Sequence, residues 1–276
     1  MIQHTKITLA IAALLSLTTA TPTLASITDF NTWTLAEDPQ DPNLSASVEA
    51  PNRVRLVADG AVPDAVDIGY QSVDGNTPAE STSGFAFDPT ASFSLAVDYD
   101  FSLINAVGGI GIGFGIGEDG TGNNSAGVAL GAPNGGIMFV GGAARTDNAN
   151  ETLVPIGLGA SVGSMHVIYD AVSGDITVGT GGTGADVPTA IATFVGSSVY
   201  DLWNADGDDD LLLAALFIRS DDTAGAAFTS GTATAIFSNL RVTGGSPVAV
   251  PEPASLALLG LGGLLLTRRQ RKSLHN

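Results

Sequence analysis

Apolar and polar residues alternate in short runs from Ile27 to Val242, and each run closes on Gly, Asp, Asn or Pro. The clearest run is Phe93 to Phe101. Phe93, Leu95, Val97, Tyr99 and Phe101 fall on one face, and Ser94, Ala96, Asp98 and Asp100 on the other. A period of two sustained this long predicts a strand with one buried face. Shorter segments of the same kind are 29–35, 54–57, 68–73, 85–87, 126–130, 136–140 and 190–195. Residues 165–170 and 175–178 flank Ser173-Gly174. That pattern predicts a hairpin, because glycine takes positive φ without strain. Residues 211–219 are apolar enough for a buried strand or a helix, and their length and bounding aspartates favour the strand. Residues 232–242 close the series, with Ala233, Ala235, Phe237, Asn239 and Arg241 on one face.

Residues 109–117 stand apart. Ile110, Ile112, Phe114 and Ile116 share one side, and glycine lines the other. Glycine weakens a strand, so such a face implies close approach by another layer or a ligand, or else tight packing or a flat exposed surface. About a dozen short strands, with almost no helix before residue 254, predict an all-β fold. The expected architecture is a two-sheet antiparallel β-sandwich over 26–243, flanked by an N-terminal signal helix and a C-terminal hydrophobic helix. The order of features resembles the concanavalin A-like lectin/glucanase jelly roll. The carrying pieces are the strands around Phe93 to Ile116, the segment from His166 to Asp170 with its Ser-Gly-Asp hairpin, and the closing run from Phe237 to Val242. The resemblance implies a fold that often binds glycans on a concave sheet, and it transfers no function.

Both ends read as addresses. Lys6 followed by apolar residues 7–17 and by Thr23-Leu24-Ala25 predicts a secretory signal peptide over 1–25, cut before Ser26. At the other end, residues 244–249 are expected to be a linker. Pro251-Glu252-Pro253 then holds the backbone extended, since each proline fixes φ and restricts the residue before it. An apolar helix over 254–267 follows. Its length, roughly 20 Å, is short for a hydrocarbon core of about 30 Å. Arg268, Arg269, Arg271 and Lys272 form a basic stop, which places the upstream domain outside and residues 273–276 in the cytoplasm. Breaker, apolar helix and basic stop, over 250–272, resemble the PEP-CTERM sorting signal of Gram-negative bacteria. That resemblance implies export by the secretion machinery and a transient C-terminal membrane anchor. It further implies processing near Pro251-Glu252-Pro253 by an exosortase, and association with the envelope or with exopolysaccharide.

Charge sharpens the picture once these ends are set aside. Residues 26–250 hold five arginines, no lysine and 27 acids, a net charge of −22. Such a surface repels nucleic acid and anionic membranes. The chain has no cysteine, which excludes disulfides, thiol catalysis and thiolate metal sites.

Candidate chemistry is sparse. Glu37, Glu49, Glu80, Glu118 and Glu151 do not fall in the Glu-x-Asp-x-x-Glu-like pattern of laminarinase-type enzymes. Asp98 and Asp100 share a strand face, as a carboxylate pair would, and as exposed aspartates commonly do. A Ser-His-Asp triad would have to use His166, the only histidine of 26–250, and no Gly-x-Ser-x-Gly turn accompanies it. No catalytic residue is therefore assigned. Residues 204–210 are the best ligand candidate. There Asn204, Asp206, Asp208 and Asp210 alternate around Gly207, and hard cations such as Ca2+ prefer oxygen ligands. Only part of an EF-hand spacing is present, because the twelfth position is Ala215. Trp33, Tyr70, Tyr200 and Trp203 are the aromatics suited to stacking on sugar rings, and Tyr200 and Trp203 adjoin the acidic loop. These readings point to an exported, non-enzymatic envelope or matrix protein that binds exopolysaccharide. A secreted carbohydrate-active enzyme and a purely structural surface protein are the alternatives.

Overall fold

The computed structural model describes residues 26–38, 40–120, 122–146, 150–203, 211–221 and 226–250. The signal segment, the acidic loop 204–210, the Pro-Glu-Pro motif, the apolar tail and the basic stop lie outside the described residues. Among the described residues no helix is long and apolar enough to cross a membrane.

The strands, in chain order, are β1 (Thr34–Asp38), β2 (Leu44–Ala50), β3 (Arg53–Asp59), β4 (Asp67–Gln71), β5 (Phe85–Phe87), β6 (Phe93–Val107), β7 (Gly109–Gly117) and β8 (Ser125–Pro133). They continue with β9 (Phe139–Thr146), β10 (Asn150–Leu158), β11 (Val162–Tyr169), β12 (Ile176–Gly181), β13 (Ala190–Phe194), β14 (Leu213–Ser220), β15 (Ser230–Gly244) and β16 (Pro247–Ala249). Two seven-stranded antiparallel sheets result. The first runs β1-β4-β14-β7-β8-β9-β10, and the second β13-β12-β11-β6-β15-β3-β2. β16 and β5 form a separate two-stranded sheet. The protein is an all-β, two-sheet antiparallel β-sandwich of the jelly-roll type.

β6 shows why these residues form this fold. Phe93, Leu95, Val97, Tyr99 and Phe101 all point into the core, as the alternation requires. They face Ile110, Ile112, Phe114 and Ile116 of β7 across one continuous apolar cluster. Each such side chain contributes about 1.5–3 kcal/mol on burial. The hairpin at Ser173-Gly174 is present, with Gly174 at φ +70°, and the strand expected over 211–219 is β14, Leu213–Ser220, paired to both β4 and β7.

Four local readings differ from the sequence expectation. The strand expected over 136–140 starts only at Phe139 and runs on to Thr146. Residues 29–35 do not form one strand, because Phe30–Thr32 is a 3-10 turn. Asp29 caps it by accepting from the Asn31 amide, which lets Phe30 and Trp33 enter the core together, with ring centroids 5.1 Å apart. In β15 the pairing with β6 slips by one residue between Ser238 and Arg241, and Asn239 sits at φ +55°. This bulge reverses the parity, so Leu240 turns inward and Arg241 leaves the face of Phe237. Finally, 247–249 is strand rather than free linker. Its pairing with β5 lays Val250 against Val73, Ala86 and Leu213.

Candidate functional site

The outer face of the second sheet carries the only cluster of buried polar groups that a histidine and an arginine share among the described residues. His166 and Ser164 lie on β11 with their side chains on the same face, two residues apart. Asp98 of β6 stands across from Ser164, and Asn239 and Arg241 come from the bulge in β15. The segment 182–189, between β12 and β13, straps over them.

Hydrogen bonds hold the strap down. Asp98 Oδ1 accepts from the Gly184 amide at 2.9 Å and lies 3.0 Å from Arg241 Nη1. Asp98 Oδ2 accepts from Asn239 Nδ2 at 2.9 Å. Arg241 Nη2 donates to the Ala185 carbonyl at 2.8 Å, and Nη1 to the Asn239 carbonyl at 3.0 Å. Asp98, expected on an open face beside Asp100, is thus 7% exposed and fully engaged, while Asp100 is exposed. The two do not form an acid pair poised across a cleft.

His166 is fully buried beneath the strap. Ser164 Oγ lies 2.7 Å from His166 Nε2 and 2.9 Å from the Gly182 carbonyl. The hydroxyl has one proton and the carbonyl can only accept. Ser164 therefore donates to Gly182 and accepts from Nε2–H. Nδ1 is left with a lone pair and no partner among the described residues. Burial, and next the Arg241 charge, hold the imidazole below its ordinary pKa, while Asp98 and Asp186 pull the other way. A serine and histidine in contact resemble part of a triad, but neither reaches solvent, and no carboxylate bonds Nδ1. The arrangement ties a loop to a sheet.

The aromatic candidates separate sharply. Trp203 has no exposed area, and its Nε1 donates to the Arg145 carbonyl at 2.8 Å. Its expected role as a sugar platform is corrected: a ring sealed in the core presents no face to a glycan. The same holds for Trp33, whose Nε1 donates to the Ile27 carbonyl, and for buried Tyr70. Tyr200 is half-buried. Its ring centroid lies 5.1 Å from that of Tyr169 and 6.1 Å from that of Trp203, which extends a file that starts at Phe87 and Phe93. This file anchors the helical turn Tyr200–Trp203, which immediately precedes the acidic segment 204–210 in sequence. Asn204, Asp206, Asp208 and Asp210 themselves lie outside the described residues. Among the described residues no group of three or more His, Asp or Glu is arranged to hold a metal.

The glycine face of β7 has a local answer. A Cβ on Gly113 would meet the Phe217 ring at 2.3 Å, so the aromatic of the neighbouring strand lies across it. The close approach comes from within the same sheet. The sequence reading missed the grouping of Ser164, Asn239 and Arg241 with Asp98. The available signal was a lone Arg two residues after an Asn in an otherwise uncharged closing strand.

No curated protein matches the chain. Among solved structures it is similar to a functionally unknown protein from Saccharomyces cerevisiae, at 10% identity and a TM-score of 0.48, over 78% of this chain and 98% of that one. It is also similar to an alginate lyase from Alteromonas sp. 272, at 12% identity and a TM-score of 0.40, over 78% and 94%. A legume lectin-like domain from Entamoeba histolytica gives 11% identity and a TM-score of 0.41, over 76% and 96%. None of these likenesses carries a function to this chain. A family model described as the PEP-CTERM protein-sorting motif matches residues 249–272, and the chain therefore carries the sorting motif of exosortase-processed, exported proteins at its C-terminal end.

Proposed function

We propose that this chain is an envelope or matrix protein that binds exopolysaccharide through its exported β-sandwich, without cleaving it. The observation that supports the non-cleaving part of this reading is the sealing of Ser164 and His166, both with no exposed area, beneath a strap that Asp98 and Arg241 pin. General acid–base work needs a group within reach of the substrate proton, and the one imidazole of the domain is withdrawn from solvent. Charge narrows the ligand. Arg53 and Arg55 pair with Glu49, Arg219 with Asp67 and Arg241 with Asp98. Arg219 and Arg241 thus each meet an aspartate, while Arg53 and Arg55 share the single carboxylate of Glu49 on the surface. A uronate chain would meet an acidic surface, so the ligand is a neutral glycan or an acidic one bridged by cations.

In this reading Asn204, Asp206, Asp208 and Asp210 supply oxygen ligands to Ca2+, and Tyr200 offers the ring beside them. Exosortase and the secretion machinery are the processing partners, and nucleic acid is not a partner. A glycan array on residues 26–250, run with calcium and then with chelator, tests the proposal. The expected result is selective binding that chelator abolishes and that Asp206→Ala with Asp208→Ala removes. Absence of binding in both conditions overturns it, and shortening of the arrayed glycans would establish the enzyme instead.

A further inference from the structure

The sorting motif begins inside the folded domain. Ala249 is both the last residue of β16 and the first of the matched motif. Pro247, Val248 and Ala249 pair with Phe87, Ala86 and Phe85, and the Val250 amide donates to the Gly84 carbonyl at 3.0 Å. Val250 is buried against Val73, Ala86 and Leu213, a small apolar cluster apart from the main core. Its neighbour in sequence is Pro251. From Val250 to Glu252 the chain spans at most about 7 Å. A protease that grips extended chain on both sides of its scissile bond therefore has almost no free substrate on the N-terminal side.

We infer that β16 is a releasable clasp: residues 247–250 leave β5 before a membrane protease takes the chain around Pro251-Glu252-Pro253, and the stability of the β5–β16 pair sets the rate of processing. This rests on the reading of the tag as a processing signal. Cleavage itself breaks one peptide C–N bond. The leaving amine takes a proton, and the acyl carbon takes the oxygen of water, or the nitrogen of an acceptor amine in transpeptidation. The clasp is suited to opening alone. It is a three-residue strand in a two-stranded sheet, and such pairs are marginal by themselves. Its apolar contacts involve one small cluster, so its release leaves the two large sheets intact.

The test uses the full chain, exported in a Gram-negative bacterium with an active exosortase, and reads the ratio of processed to unprocessed protein over time. Val248→Cys with Ala86→Cys bridges positions that pair in register, and the reduced form of the same protein is its control. The oxidised form is expected to be processed at least tenfold more slowly than the reduced one. Insertion of Gly-Ser-Gly-Ser between Val250 and Pro251 in the bridged protein is expected to restore the native rate, since the motif then stands clear of the clasp. Equal rates for oxidised and reduced forms overturn the clasp. Alanine at Pro251, Glu252 and Pro253 tests the tag separately. If that variant is processed like the native chain, the processing signal lies elsewhere and the clasp falls with it.

Discussion

Arg241 Nη1 lies 3.0 Å from Asp98 Oδ1, and this pair joins the bulge of β15, the centre of β6 and the strap 182–189 at one point. The side chains are 20% and 9% exposed, so solvent screens the pair little. Arg241→Ala leaves Asp98 with two neutral donors, the Gly184 amide and Asn239 Nδ2. Removal of one partner from a buried pair costs about 3–5 kcal/mol, and the remaining donors should hold the loss near the lower end. Urea denaturation reads the loss directly. A change below about 1 kcal/mol would mean that the strap is not held by this pair.

The pH dependence of stability follows from His166. Its folded pKa is lowered, by burial first and by Arg241 next. The unfolded chain therefore binds a proton that the folded one resists. Its contribution is full above the unfolded value of roughly 6.5 and declines as pH falls from there toward the folded pKa. Urea midpoints at pH 7.5 and 5.0 should differ in native protein and converge in His166→Gln. Asp74 acts in a lower window. Its carboxyl accepts from the Thr82 hydroxyl and from the Thr82 and Ser83 amides, and these bonds outweigh its desolvation to bring its pKa down to about 2. Its contribution is present above about 3.8 and is lost as pH falls to 2. Asp74→Asn should flatten only that acid limb.

Gly113 and Phe217 form a testable couple. Gly113→Ala forces the Phe217 ring off the sheet, because the added Cβ would stand 2.3 Å from it. Overpacking of this kind costs about 1–3 kcal/mol. In a Phe217→Ala background the same substitution should cost almost nothing. Independent, additive effects would show that the glycine face serves something other than this ring.

The sandwich was legible because one strong signal, period-two burial, dominates strands such as β6, and side chains like Phe93 and Phe101 have no other place to go. The deviations arose where local chemistry overrides that period. Asp29 can cap a turn, so Phe30 and Trp33 enter the core from a 3-10 geometry. Asn239 tolerates positive φ, so one extra residue reverses the face of Arg241. β16 was hidden for a different reason. Pro247, Val248 and Ala249 acquire a partner only through β5, some 160 residues upstream in sequence. The site was less legible than the fold, because Trp203 has the same composition signal as a sugar platform and as a core anchor. Only burial distinguishes the two.

Trp203 and Tyr200 should accordingly behave differently. Trp203→Ala removes a fully buried ring and should destabilise by about 3–5 kcal/mol, so any lost binding in that variant reports folding. Tyr200→Ala should cost less stability and, if the ring meets a glycan, weaken binding about tenfold or more at unchanged secondary structure. Circular dichroism beside calorimetric titration separates the two effects.

The most direct measurement follows the processed protein in living cells. Cells that make exopolysaccharide and an otherwise identical strain that cannot are separated into medium, matrix, envelope and periplasm, and the mature chain is traced in each. Binding to exopolysaccharide predicts that the protein sits in the matrix of the first strain and is released to the medium in the second, and that chelator releases it from the first. The same distribution in both strains, unchanged by chelator, would contradict the binding role.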